Sequence, residues 1–519
     1  MQTDLSDEAK RALLMQRLQE RARHGEFPLS SAQARLWFLH QLFPETSAYN
    51  VPHVLELRGP LRVDILTRAF DALVERHEVL RTRFNEREGV PHQTVAPTAP
   101  SIVRFRNATD ASGEELSAWL TAEATRPFDL RADPLLRVVV VQQAPHHYLL
   151  MIVFHHLAGD LSSLDILNRE LAALYAAGCR GGVADLPPTT TSYLDFALWQ
   201  QLAGHDAGQL AYWRNQLAGL EPLQLRTDRP RPEIQNGQAG LLPVTIPAVT
   251  VERLEALGRR HNATLFMVLL AGLAVLLHRL TDQDDFAVGV PVAGRSRREL
   301  EDVVGFFVNT LALRLRPRNR MTVAELLAQV RETALAGYVA GDIPFEKVID
   351  ELQPQRDLSR NPLVQVLLAV QTAPVRSLQL TDLEVTPLSM DLGTHARFDL
   401  EFILWPQHGD AGFGGVVHYD RNLFDHQTIE RMWNGFLALL SELPANHREI
   451  GDLTVLQAEQ RHQILTLLAA GNSTMPNPQQ TRLHEGVAHA SRDHDKGSAG
   501  RSRLHSASLC EARFRDRAW

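Results

Sequence analysis

Two histidines, an aspartate and two serines fall within the short segment Phe154–Leu164, FHHLAGDLSSL. The apolar run Leu149–Phe154 reads as a strand that carries His155 and His156 to its end. Asp160 follows four residues after His156, just ahead of LDILNRELAALYAAG, whose leucines recur at helical spacing. Ser162 and Ser163 are expected to cap that helix and Gly178 to end it. A strand-to-helix junction holds side chains firmly while letting them face a cleft. Imidazole there suits the donation, acceptance or orientation of a proton near neutral pH. The pair alone is weak: with 22 histidines in 519 residues, roughly one adjacent pair arises by chance. A second pair, His146–His147, falls in the expected hairpin turn between two strands.

The surrounding pattern alternates strands and helices. Val51–Leu57 and Leu136–Val141 are β-branched runs suited to buried strands. Prolines and threonines at 187–191 read as a linker between two halves of similar make-up. Helices are expected near 194–217, 251–280 and 323–338, and strands near 286–291, 309–316 and 364–370. The expected organisation is a leader over 1–26, a first lobe over 27–188, a second lobe over 189–460 and a tail over 461–519. Residues 4–23 read as an amphipathic helix capped by Ser6, either solvated or a docking element for a partner. From Asn472 the apolar periodicity is lost, which reads as a linker or truncated tail.

Composition narrows the function. A net charge of -8 argues against a nucleic-acid binder, which would carry a basic face. Two cysteines, Cys179 and Cys510, give neither a disulfide framework nor a thiolate metal site, and the tail histidines lack paired ligand spacing, so no metal is expected. The first twenty residues are charged throughout, with no secretory pattern. The most apolar stretch, Ala263–Leu277, is shorter than the about twenty residues a membrane span needs, so a buried helix in a cytosolic protein is expected. No GxSxG elbow supplies a hydrolase nucleophile, and the GFGG at 412–415 is expected to form a turn.

Seven stretches, in order, resemble the motifs of condensation domains of nonribosomal peptide synthetases. They are LSSAQARLWFLHQL (29–42), RHEVLRTRF (76–84), the FHHLAGD segment, SYLDFALWQ (192–200), VGFFVNTLALR (304–314), GDIPFEKV (341–348) and RDLSRNPLVQ (356–365). The resemblance implies an α/β fold, a two-lobed pseudo-dimer similar to chloramphenicol acetyltransferase, with the active site in a tunnel between the lobes. It implies a donor carrier protein presenting an acyl or peptidyl thioester at one mouth and an acceptor carrier presenting an aminoacyl thioester at the other. Both arrive on phosphopantetheine arms, with no cofactor bound by this chain, and an adenylation domain or other synthetase modules are the further partners. His156 is then the residue of the reaction centre, beside His155, and Asp160 is structural. Arg295, in PVAGRSRREL, is the first candidate for the partner of Asp160. Arg81, in LRTRF, is another arginine at a family motif position, and Asn309 is expected near the cleft, mainly as scaffold with Arg360 and Asn361.

The chain departs from the family at Leu161, where HHxxxDG has glycine. Glycine serves where backbone needs positive φ or a ligand needs room. Leu161, with Ser163, is therefore expected to line the substrate tunnel, the leucine narrowing it or shifting the loop, which alters donor preference, as toward a fatty acyl or polyketide chain, or lowers activity. A starter domain that acylates a first amino acid and a silent relative that recruits partners are the alternatives. The intact histidines fit neither a heterocyclising relative nor a silenced one. FFVNT and RNPL look like condensation rather than epimerisation sequences, closest to those joining L-configured units.

Overall fold

The computed structural model describes residues 25–455 apart from 205, 236, 355–356, 372–377, 389, 393–394, 408–410 and 446, together with Gln16. The helix expected over 4–23, Gln16 aside, and the tail from 461 lie outside the described residues. In chain order the strands are β1 (Glu26–Pro28), β2 (Asn50–Arg58), β3 (Thr82–Arg87), β4 (Val90–Val95), β5 (Val103–Asn107), β6 (Leu136–Ala144) and β7 (His147–His155). They continue with β8 (Ala239–Ile246), β9 (Phe286–Val292), β10 (Asn309–Leu315), β11 (Val366–Val370), β12 (Glu384–Leu388), β13 (Leu400–Pro406) and β14 (Phe413–Asp420).

The β-branched runs pair as their composition requires. β6 and β7 form an antiparallel hairpin turned at His146, which adopts φ 60°. β2 pairs on the other side of β7, with Asn50 opposite His155. The first sheet runs β12-β2-β7-β6-β5, the second β10-β9-β11-β13-β14-β8, and a small sheet β1-β4-β3 flanks the first. Each large sheet has its own apolar core, one around Leu55, Val140 and Leu150, the other around Leu270, Leu313 and Phe402. The two-lobed architecture is therefore present.

The boundary at 188/189 is not clean, however. β12, far into the second half, pairs antiparallel with β2, and Val303, Val304 and Phe307 pack into the first core. β2 would otherwise expose an unpaired edge, and strand β12 closes it. Residues 183–192, which include the proline- and threonine-rich stretch 187–191, carry neither helix nor strand.

Two expected long helices are each broken. Tyr193–Ala203 ends at Gly204 (φ 67°) and Ala207–Leu217 restarts under an Asp206 cap. Ala248–Arg260 ends before Asn262 (φ 52°), and Thr264 caps Leu265–Thr281. That apolar helix is buried in the second core, and no single helix among the described residues is long and apolar enough to cross a membrane. Of GFGG, only Gly412 (φ 82°) is a turn residue; Gly414 and Gly415 lie in β14, where a Cβ on Gly415 would meet the Ile403 carbonyl oxygen at 2.5 Å.

Candidate active site between the lobes

Successive side chains at the end of β7 point to opposite sides. His155 turns into the first core, 5% exposed, against Phe128 (5.6 Å between ring centroids) and Tyr49 (6.5 Å). Its Nδ1 accepts the Leu157 N–H at 3.1 Å, and burial holds it neutral, well below the ordinary imidazole range. His155 thus does not reach the cavity described below, contrary to its expected place in the reaction centre.

His156 faces the other way, beside Phe306 at 5.3 Å. Its Nδ1 lies 3.2 Å from the Gly159 carbonyl and its Nε2 lies 2.9 Å from a guanidinium nitrogen of Arg397. A carbonyl only accepts and a guanidinium only donates, so Nδ1 carries the proton and Nε2 presents its lone pair. Burial, then the Arg397 charge, push the His156 pKa down to about 3, against the Gly159 carbonyl, which raises it.

Asp160 is the N-cap of helix Leu161–Cys179, accepting the Ser163 N–H at 2.9 Å, so the cap is Asp160 rather than Ser162 or Ser163. It is 1% exposed and meets Arg295 in a two-pronged pair, 2.7 Å to Oδ2 and 2.9 Å to Oδ1. The Phe307 N–H donates to Oδ2 at 3.1 Å, and the Arg295 guanidinium lies 4.4 Å from the Phe307 ring centre. Gly294 (φ 61°) lets the chain turn into Arg295, since a Cβ there would lie 2.0 Å from the Phe307 carbonyl oxygen. Asp160 and Arg295 thereby lock the end of the histidine segment to the 303–307 loop.

Ser163 does not line a tunnel. It is 1% exposed, its hydroxyl 2.9 Å from Asp160 Oδ1 and from the Gly305 carbonyl while accepting the Gly305 N–H at 3.1 Å. Helix geometry turns it inward, onto the same lock. Leu161, the first residue of the helix, is 42% exposed, has no positive φ and is absent from the cavity wall. The position therefore neither requires glycine nor narrows this cavity, because a helix N-terminus accepts any ordinary side chain.

Arg81 is not brought to Asp160; it donates to the Ala96 carbonyl. Asn309 clamps the 341–345 loop, its amide donating to the Gly341 and Ile343 carbonyls (2.9 and 2.7 Å) and its oxygen accepting the Phe345 N–H (2.9 Å). Arg360 pairs with Asp357 at 2.8 Å, and the Asn361 carbonyl accepts from Gln365, both away from His156.

Arg397 was not singled out from the sequence. It pairs twice with Glu401 of β13, at 2.7 and 3.2 Å, and Glu401 is 3% exposed. A glutamate inside the apolar run FDLEFILW, four residues after an arginine, was the available signal, because a buried charge needs a partner. Arg397, Glu401 and His156 line a cavity of about 310 Å³ between β2 of the first lobe and β8, β13 and β14 of the second. His53, His395 and His418 also line it, beside apolar side chains such as Val51, Leu241, Ile403 and Val416.

The sequence profile of the condensation-domain family ("Condensation domain") matches residues 23–465. One of the linear gramicidin synthase proteins of Brevibacillus parabrevis is 38% identical over 476 residues, 90% of this chain and 6% of that protein. The isonitrile lipopeptide synthase of Mycobacterium tuberculosis is 40% identical over 458 residues, 85% of this chain and 18% of that protein. The chain thus spans under a fifth of the length of these relatives. Among solved structures, the X-domain from teicoplanin biosynthesis superposes with a TM-score of 0.76 at 29% identity, covering 83% of this chain and 97% of that one. The first condensation domain of the CDA synthetase (TM-score 0.72, 22% identity, covering 84% of this chain and 100% of that one) shares the fold. The chain belongs to the condensation-domain family of nonribosomal peptide synthetases.

Proposed function

We propose that this chain joins a carrier-bound acyl or peptidyl thioester to the amine of a carrier-bound aminoacyl thioester. The amine nitrogen attacks the thioester carbonyl, the C–N bond forms, the C–S bond breaks, and the proton lost from nitrogen ends on the departing pantetheine sulfur. The observation that carries this proposal is His156, neutral and of fixed tautomer, facing a cavity between the lobes. An α-amino group titrates near pH 8, far above a histidine at about 3, so His156 is a poor resting place for a full proton. Its Nε2 lone pair instead accepts a hydrogen bond from the attacking amine and aims the nitrogen at the carbonyl, once Arg397 yields that position. Holding both thioesters in line supplies much of the rate, up to roughly 7–11 kcal/mol in well-oriented systems. Asp160 and Arg295 act as positioning residues. Carrier proteins deliver both substrates on phosphopantetheine arms, and the chain itself holds no cofactor.

The test uses purified protein with an acyl-loaded donor carrier and an aminoacyl-loaded acceptor carrier, read by intact-mass spectrometry. A mass gain on the acceptor, lost in His156→Ala, is expected. Peptidyl, fatty acyl and polyketide donors in parallel separate an elongating domain from a starter-type one. A solved neighbour of this fold is the X-domain in complex with OxyB. With Arg397 seated on Nε2, recruitment of a protein partner is the second reading, and it gains if no donor is transferred by folded protein.

A further inference from the structure

The cavity beside His156 contains a second imidazole whose orientation is fixed by contacts outside the reaction centre. His395 Nδ1 lies 3.2 Å from the backbone nitrogen of Ser47 and 2.8 Å from its hydroxyl oxygen. A backbone N–H can only donate, so Nδ1 is the acceptor and the ring proton sits on Nε2. Ser47 is fully buried, at 0% exposure, and the backbone of His395 is itself held by a bridge to Gln238. The residue is therefore held from both lobes, its ring by Ser47 across 348 residues of sequence and its backbone by Gln238. Burial lowers the His395 pKa, which keeps it neutral and leaves Nε2–H as a fixed donor.

That donor has no partner among the described residues, while the ring lines the cavity shared with His156 and Arg397. The neighbouring acids are engaged elsewhere: Glu401 holds Arg397, and Asp391 holds Arg421. Nor do the imidazoles form a metal site, since no three His, Cys, Asp or Glu side chains converge as a ligand set among the described residues. A neutral N–H on a ring that lines a partly apolar cavity is suited to a neutral oxygen acceptor, whose desolvation it offsets.

We propose that His395 binds substrate, its Nε2–H donating to a carbonyl oxygen of the thioester-borne chain lodged beside His156, with Ser47 as the residue that positions the ring. The proposal rests on the function proposed above for the identity of the chain, though not for the donor itself. Two carbonyl sources share this chemistry, the aminoacyl group and the amides of the pantetheine arm.

The full chain is titrated with pantetheine and with a stable glycyl amide of aminopantetheine by calorimetry, in wild type, His395→Phe and His395→Gln. Phenylalanine keeps the ring and removes the donor; glutamine restores an N–H near the position of Nε2. Loss of one neutral hydrogen bond is expected to weaken binding roughly five- to tenfold in His395→Phe, with recovery in His395→Gln. Weakening for both probes assigns the bond to the arm; weakening for the glycyl probe alone assigns it to the aminoacyl carbonyl. Equal affinity of His395→Phe and wild type for both probes, or no binding of either probe to wild type, overturns the proposal. Should His395→Phe not fold, nitrogen-15 spectra of wild type decide: an Nε2–H resonance that moves downfield with probe supports it, and an Nδ1–H tautomer or an unmoved resonance refutes it. Failure of condensation itself registers separately, in the carrier mass assay.

Discussion

Asp160→Asn tests the lock that holds His156. The substitution keeps the volume and one acceptor oxygen but removes the charge facing Arg295, whose side chain is 6% exposed against 2% for Asp160. Breaking a buried ion pair from one side leaves the other charge uncompensated and costs about 3–5 kcal/mol. Asparagine retains an acceptor for the Ser163 N–H, so the cap survives and the lower end, about 3 kcal/mol, is expected. Arg295→Met strands the carboxylate instead, leaving it the Ser163 N–H and hydroxyl and the Phe307 N–H, and is expected to cost a similar amount. The double variant has no unpaired charge, so its cost should fall short of the sum by about 2 kcal/mol or more. Urea unfolding followed by tryptophan fluorescence reads this as midpoint shifts at constant slope. Because Gly159, the residue before Asp160, holds His156 Nδ1, the condensation rate should fall at least about tenfold in either single variant, equivalent to roughly 1.4 kcal/mol. A loss under about 1 kcal/mol in Asp160→Asn, or strictly additive costs in the double variant, would refute the lock.

Two further outcomes follow from the same geometry. His156 is pushed from an ordinary 6.5 to about 3, so below pH 6.5 the unfolded chain binds a proton that the folded protein refuses. Its contribution to stability therefore falls as pH drops, by about 2 kcal/mol between pH 6.5 and 5, and His156→Ala should flatten the profile by about one proton; parallel profiles in urea titrations would count against it. Leu161→Gly, which restores the family residue, should cost only about 0.5–1 kcal/mol of stability as a helix-terminal glycine, with the donor range in the carrier assay unchanged. A widened or shifted donor range would return Leu161 to the tunnel wall.

Local chemistry made much of this protein legible in its sequence. The β-branched runs became β2, β6 and β7, the turn at His146 fell where two histidines interrupt them, and the helix after Asp160 ran as its leucine spacing required. The order of motifs placed the chain in its family, because short segments at fixed offsets survive without any knowledge of what they touch. Arg295 was named from such a motif and lies against Asp160, 135 residues away.

Long-range pairing decided the rest. Whether His155 or His156 faces the cleft depends on which side of β7 the core lies, and period-2 alternation alone does not say. Ser163 reads as a helix cap on the tunnel wall until the 303–307 loop covers it. Arg397 meets His156 across 241 residues and Ser47 meets His395 across 348, contacts chosen by the packing of two lobes, the second of which lends strand β12 to the first sheet. A buried charge or imidazole must find a partner, and its composition announces that need; the tertiary fold alone selects the partner, since many arginines and serines would satisfy the same chemistry.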